Sequence, residues 1–383
     1  MKILHIYREA DEEIGGVENH VKYLVKEQVK QGLYPTVLAF IFSDKNSISI
    51  KKIDNIDWYY LELKDPFINL FETSISVFIK RLYQNFNTKQ KTDLILKIKP
   101  DIIHQHDYLS SIRLNKKLSK NFPVVFTNHS GEYLWLEKTA LTRYFQKQFL
   151  NCFKAIIAPS NNLLPESSNS YLIPNGFSSE QFYRVSETEK EALKIENNCQ
   201  GKIVFLCARR WAPNKGIIYL AKALNLLSDE VKQKSVFIFA GNESEGFQAY
   251  KKQINQELSE CSNTDIRLMG NLSHEKLAPL INMSDVGVIP SIMEGLSLFS
   301  LELISTGVPV LATNVGGLPD VVKNEETGWI VLPKSPENIE KEITKIVINW
   351  PDSKLEINTE EFKEKYSWKT VANLTLKIYN KIT

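Results

Sequence analysis

The sequence predicts an α/β protein made of two tandem doubly wound domains, each a parallel sheet covered by helices on both faces. Three observations carry that prediction. The chain has 383 residues, more than one compact domain usually holds. Short β-rich runs alternate with helical patterns, and the alternation starts afresh near residue 200, after a charged stretch without strand patterning. The bulk numbers suit a globular protein: 43% hydrophobic, 24% charged, net charge +2. That balance gives no global reason to expect nucleic acid as a partner.

Taken in order, the first half offers strands at Ile3 to Tyr7, Thr36 to Phe42, Trp58 to Leu61, Ile102 to Gln105, Val124 to Thr127, Ala155 to Pro159 and Tyr171 to Ile173. Between the first two, Val17, Val21, Leu24, Val25 and Val29 recur at helical spacing and Gly32 follows as a stop, which completes a βαβ unit. The second half repeats the scheme at Ile203 to Ala208, Val236 to Ala240, Ile266 to Met269, Val286 to Pro290, Val308 to Ala312 and Trp329 to Leu332. The break is expected at Pro174-Asn175-Gly176, giving domains of residues 1–176 and 177–366. Trp368, Val371, Leu374 and Ile378 then mark a last helix within 367–383, expected to pack back on the first domain.

The opening residues read as a first strand, since their apolar run is too short for a signal peptide. No run approaches the ~18 apolar residues of a membrane span. Cys152, Cys199, Cys207 and Cys261 form no C-x-x-C pair and have no histidines at metal-ligand spacing. Reduced thiols, a cytoplasmic location, no metal and no cofactor are the expectations.

Ligands of open parallel sheets bind beyond the carboxyl ends of the strands, so the residues just after each strand are the candidate site. Gly15 and Gly16 follow the first strand and open a helix, whose free N–H groups suit a phosphate; a plain turn is the alternative. His129 follows Val124 to Thr127, placed either to hydrogen-bond a substrate hydroxyl or merely to satisfy its own loop. Arg209, Arg210 and Lys215 lie in a Pro-containing loop after the first strand of the second half. A curled loop brings two cations together, the charge a diphosphate leaving group needs without a metal; a solvated basic loop is the bland reading. After Pro290 comes Glu294-Gly295-Leu296-Ser297-Leu298, with Glu302 on the second turn of a helix that begins around Leu298. The amides of Gly295 to Leu298 could face an anion, and each carboxylate could hold a vicinal diol. Two incidental glutamates are the alternative.

With these residues in order, the chain resembles the retaining GT-B glycosyltransferases, specifically glycosyltransferase family 4. The likeness covers nearly the whole chain and is strongest from Arg210 to Leu332, through the Arg/Lys loop, the two glutamates with seven residues between them, and Pro309 to Pro319. It implies two Rossmann-like domains facing across a cleft, the first binding acceptor and the second binding a UDP- or GDP-sugar. It implies that Gly16 meets the diphosphate, that His129 contacts the donor sugar near the reacting carbon, and that Arg210 and Lys215 neutralise the diphosphate. Glu294 would hold sugar hydroxyls, Glu302 the ribose, and the Gly270-Asn271-Leu272 loop the base. Two positions depart from the family pattern. Arg209 stands where glycine is common, leaving open which arginine faces the phosphate, and Ser297 replaces a frequent glycine.

The implied reaction is metal-independent hexosyl transfer, with retention, to a glycan or lipid-linked acceptor in bacterial surface polysaccharide or lipopolysaccharide synthesis. No residue is evident as the carboxylate nucleophile of a double displacement, so front-face substitution is expected. Residues 78–99 combine Phe78 and Tyr83 with Lys80, Arg81, Lys89, Lys91, Lys97 and Lys99. They either rest on an anionic membrane, making the protein peripheral at its inner face, or form a solvated helix face. A nucleotide-sugar epimerase of the same fold and a non-catalytic sugar-nucleotide-binding protein are the rival readings. A NAD-dependent oxidoreductase lacks its G-x-G-x-x-G fingerprint here.

Overall fold

The computed structural model describes the chain except residues 9–15, 65–82, 84, 87, 107–110, 130–132, 134–139 and 244–246. Gly15 and the start of the basic, aromatic segment 78–99 therefore lie outside the described residues. The chain forms two compact units: Met1–Asn175 with Trp368–Thr383, and Gly176–Ser367.

The first unit is built on an eight-stranded sheet: β1 (Lys2–Arg8), β2 (Tyr34–Ser43), β3 (Ser47–Ile53), β4 (Ile56–Lys64), β5 (Ile102–Gln105), β6 (Val124–Thr127), β7 (Ala155–Ala158) and β8 (Ser170–Leu172). Their spatial order is β3-β4-β2-β1-β5-β6-β7-β8. All neighbours are parallel except β3 and β4, which form an antiparallel hairpin. The sequence reading contained no β3, because a strand exposed along almost its whole length has no buried face to write a hydrophobic pattern. The available signal was the turn: Asp54 and Asn55 both adopt positive φ, as a tight hairpin turn requires. Lys51 and Lys52 on this edge strand discourage pairing with another chain.

The helix Gly16–Lys30 buries Val21, Leu24 and Val25 on the sheet as its spacing predicts, but it also buries His20 and Gln28 and leaves Val29 exposed. The helix Trp368–Ile382 packs against it within the same unit, with Trp368 stacked on Tyr23 at 5.8 Å between ring centroids. It buries Val371, Ile378 and Tyr379.

The second unit has six parallel strands: β9 (Ile203–Ala208), β10 (Ser235–Ala240), β11 (Asp265–Leu268), β12 (Val286–Ile289), β13 (Val310–Thr313) and β14 (Gly328–Val331). Their order, β11-β10-β9-β12-β13-β14, reverses direction between β9 and β12. Alternation along each strand splits the core: Val204, Leu206, Val236 and Ile238 enter one layer, while Ile203, Phe205, Phe237 and Phe239 enter the other. A buried ion triad ties the helix Glu187–Glu196 to this sheet. Asp285, just before β12, accepts from Lys190 at 2.9 Å and Lys194 at 2.6 Å, and its Oδ2 also takes the Val204 N–H at 2.9 Å.

Candidate active site

The carboxyl ends of β9 and β12 meet at the point where strand order reverses, the place in such sheets where ligands bind. Arg209 and Arg210 leave the end of β9, and Glu294 stands just past β12. Two glycines set the loops around them. Gly216, at φ +67°, lets the Arg/Lys loop lie against the end of β12; a Cβ there would come within 2.0 Å of the Pro290 carbonyl oxygen. Gly316, at φ +55°, lets the loop after β13 lie under Glu294; a Cβ would meet the Glu294 carbonyl oxygen at 1.6 Å. The loops are also cross-tied, since Asn214 accepts the Ile292 N–H at 2.9 Å and Gly295 accepts the Gly317 N–H at 2.6 Å.

Three side chains converge on the Glu294 carboxylate. Lys215 Nζ donates to both oxygens, at 3.1 and 3.0 Å; Ser291 Oγ donates to Oε2 at 3.1 Å; Arg209 Nη2 donates to the same oxygen. Arg209 Nη1 donates to Ser297 Oγ at 2.8 Å, the oxygen that also caps the helix Leu298–Ser305 through the Ser300 N–H. Burial by itself would raise the Glu294 carboxyl, yet the charges of Arg209 and Lys215 with the Lys215 and Ser291 hydrogen bonds outweigh it and hold it at about 2. Burial wins for Lys215, whose ammonium is pushed down to about 8 although Glu294 pulls it up.

The arginine brought into this cluster is Arg209, whereas the sequence analysis put Arg210 first. Successive residues leaving a strand point to opposite sides, so only one could join. Arg210 is exposed, and its guanidinium makes no hydrogen bond or ion pair among the described residues. It still lies near enough to depress the proton affinity of Lys215.

Glu302 projects from the second turn of the helix Leu298–Ser305 and is buried. His274 Nε2 lies 3.9 Å from its Oε1, and among the described residues its carboxyl makes no hydrogen bond. Burial raises this carboxyl to about 7, opposed by the charge of Arg209. Gly295, Leu296, Ser297 and Leu298 form the turn leading into the same helix. Leu272 is half-buried against the hydrophobic layer below it, in the turn before the helix His274–Met283.

The other predicted residues belong to the first unit. Gly16 is the exposed first residue of its helix, with open space where a Cβ would stand. His129, half-buried after β6, has Nε2 at 3.1 Å from His106 Nδ1. Around it gather His5, His20, His104 and His106, all buried, which the sequence reading did not connect. The signal was present as His104, on β5, and His106, two residues on and just past its end, a spacing that extended backbone puts on one side. Nitrogens of His5, His104 and His106, and of His20, His106 and His129, lie within 4.8 Å of one another, as metal ligands would. Several of these nitrogens already pair with each other or with Gln28, Thr127, Asn175 and Tyr379 in hydrogen bonds.

Comparison with known proteins places this chain in a family. Residues 14–177 match the family model described as Glycosyltransferase Family 4, and residues 188–364 match the one described as Glycosyl transferases group 1. The chain belongs to the GT-B glycosyltransferases of the family 4 type. It is 23% identical to an uncharacterized glycosyltransferase of Methanocaldococcus jannaschii, over 96% of this chain and 94% of that one. It is 24% identical to the phosphatidylinositol N-acetylglucosaminyltransferase GPI3 subunit of Saccharomyces cerevisiae, over 97% of this chain and 81% of the other. Among solved structures, a sucrose-phosphate synthase from Thermosynechococcus elongatus superposes with a TM-score of 0.80 at 20% identity, covering 100% and 98% of the two chains. The Anabaena protein HepE in complex with UDP and glucose gives 0.75 at 17% identity, with 100% of both chains covered. The protein is thus a glycosyltransferase.

Proposed function

We propose that the protein is a retaining hexosyltransferase that takes a sugar from a UDP- or GDP-sugar held by the second unit and passes it to a glycan or lipid-linked acceptor held by the first. The observation that carries this reading is the charge arrangement at the ends of β9 and β12: Glu294 is fixed by Arg209 and Lys215, while Arg210 remains unpaired among the described residues. Lys215 and Arg210 take the diphosphate, and Arg209 fixes the direction of Glu294, which holds hydroxyls of the transferred sugar. Gly295 to Leu298 offer amides to the same anion, and Gly16 offers its backbone. Glu302, a buried carboxyl without a hydrogen bond in the described structure, takes the ribose diol; a buried polar group wants such a partner. Leu272 borders the base, and His129 serves the transferred sugar.

Retention follows from front-face substitution. The bond from the anomeric carbon to the diphosphate oxygen breaks, and that oxygen accepts the proton of the acceptor hydroxyl as the new glycosidic bond forms. Lys215 and Arg210 stabilise the departing charge, so the protein's own cations supply what a metal ion would. Glu294 is a poor nucleophile for the alternative double displacement, because both its oxygens are held by donors.

A lipid-linked acceptor is supported by the relative whose name specifies phosphatidylinositol. Within residues 78–99, Lys91 contributes nothing to a membrane face: it is buried, with its ammonium 4.3 Å from the Phe40 ring centroid. Lys89, Lys97 and Lys99 are exposed and remain the proposed contacts with anionic lipid. Among the described residues no helix is long and apolar enough to cross a membrane. A thermal-shift panel of nucleoside diphosphates and their sugars tests the donor reading, since a ligand that binds only the folded state raises its melting point. A panel in which no uridine or guanosine diphosphate sugar raises it refutes the proposal.

A further inference from the structure

Five of the six histidines lie together in the first unit. His5 on β1 is the register partner of His104 on β5, and His106 follows β5. Burial disfavours the imidazolium form of His5, His20, His104, His106 and His129 and keeps each ring neutral. A neutral imidazole carries one N–H and one lone pair, so every hydrogen bond between two such rings has a definite direction.

That direction can be followed from one end. His5 Nε2 lies 2.8 Å from Gln28 Oε1, and an amide oxygen only accepts, so His5 is protonated on Nε2. Its Nδ1 is then a lone pair, 3.1 Å from His106 Nε2, which must be the donor. His106 Nδ1 is in turn a lone pair, 3.1 Å from His129 Nε2, which must donate to it. The remaining nitrogen of His129, Nδ1, is left unprotonated. The same amide, at the head of this file, carries a second branch: Gln28 Nε2 donates to the Tyr379 hydroxyl at 3.3 Å, that hydroxyl lies 2.5 Å from His104 Nδ1, and His104 Nε2 lies 2.6 Å from Thr127 Oγ1.

We propose that Gln28, acting through His5 and His106, fixes His129 as the Nε2–H tautomer, so that its Nδ1 accepts a hydrogen bond from a hydroxyl of the sugar substrate. The substrate half rests on the proposed transferase reading; the tautomer half does not. Gln28, His5 and His106 are positioning residues on this account. His129 offers the substrate no proton, so a phosphate oxygen, itself an acceptor, is not its partner.

Two-bond proton–nitrogen correlation on the full chain labelled with 15N-histidine distinguishes the tautomers. The wild type is expected to show Nε2–H at His5, His106 and His129. Gln28→Leu, which removes the acceptor at the head of the file, is expected to leave these rings as tautomer mixtures. Gln28→Glu, still an acceptor, is expected to restore the pattern should the leucine variant fold poorly. An Nδ1-protonated His129 in the wild type, or an unaltered His129 in a folded Gln28→Leu, overturns the tautomer half. On adding the donor that stabilises the protein most in a panel of UDP- and GDP-sugars, the His129 Nδ1 resonance is expected to move while staying unprotonated. That donor's affinity is expected to fall about tenfold in Gln28→Leu, the size of one hydrogen bond's loss. A bound donor that leaves this resonance unmoved overturns the substrate half. A panel with no binder also removes the substrate half, together with the transferase reading, and leaves the tautomers to be judged on the spectrum alone.

Discussion

The ammonium of Lys215 lies 3.1 and 3.0 Å from the two carboxylate oxygens of Glu294, so one cation covers both acceptor atoms of a side chain only 9% exposed. Removing the carboxylate leaves the half-buried Lys215 and Arg209 without their anion. Breaking a buried pair from one side typically costs ~3–5 kcal/mol. Glu294→Gln is therefore expected to lose stability of that order in urea unfolding, besides losing transfer activity. Glu294→Gln combined with Lys215→Met is expected to recover part of the stability and none of the activity.

The neighbouring arginines should separate folding from binding. Arg209→Leu removes donors from Glu294 and Ser297 and is expected to destabilise the second unit. Arg210→Gln alters an exposed side chain, so its stability should stay within ~0.5 kcal/mol of wild type. Its affinity for a nucleoside diphosphate, measured by calorimetry, should nevertheless fall. Equal nucleotide affinity in wild type and Arg210→Gln would remove Arg210 from the donor site.

Glu302 gives the site a pH response of known sign. Its carboxyl goes from the ordinary 4.5 in the unfolded chain to about 7 in the folded one. Its contribution to stability is thus present below 4.5 and lost as pH rises through 7. Glu302→Gln cannot ionise, so it should gain stability relative to wild type between pH 5 and pH 8. Ribose binding needs the ionised acceptor, and nucleotide affinity should fall by up to about tenfold per pH unit below 7. Calorimetric affinities at pH 6 and pH 8 that agree within error would exclude this role.

Acid should weaken the first unit before the second. His5 and His20 are lowered by burial from 6.5 to about 3 and about 4. A depressed histidine contributes stability that is complete above 6.5 and lost as pH falls through its folded value. Glu294, held at about 2, loses its contribution only below the usual carboxylate range. Hydrogen exchange read by peptide between pH 7 and pH 4.5 is expected to show protection falling first in β1, β5 and the helix Gly16–Lys30. Uniform loss across both units would contradict the assignment.

Asp285→Ala should be more damaging than its distance from Glu294 suggests. It strands Lys190 and Lys194, both paired to that one carboxylate, and the Val204 N–H. A loss of ~3–5 kcal/mol is expected, with nucleotide affinity of the folded fraction unchanged.

How much of this was legible in advance differs by element. Strands such as β6, β7, β10, β12 and β13 needed only hydrophobic runs between turns, because a strand buried on both faces writes its length in apolar residues. β8, whose residues are half-buried or exposed, was found from Tyr171 to Ile173, whereas β3, exposed throughout, was missed. Glu294, Glu302 and Lys215 were singled out because strand ends in such sheets are where ligands sit, an inference that needs order along the chain and no coordinates.

The amino-acid sequence by itself determined the α/β class, the repeat of the scheme in two halves and the loops in which charged residues gather, since periodicity and spacing are local properties. Tertiary structure alone decided that Arg209 rather than Arg210 clasps Glu294, that Lys91 turns inward, and that buried His5, His20, His104 and His106 gather beside half-buried His129. Those outcomes depend on which way a side chain leaves its backbone and on what distant segments bring beside it. Dehydration then decides which of the assembled groups keeps its charge.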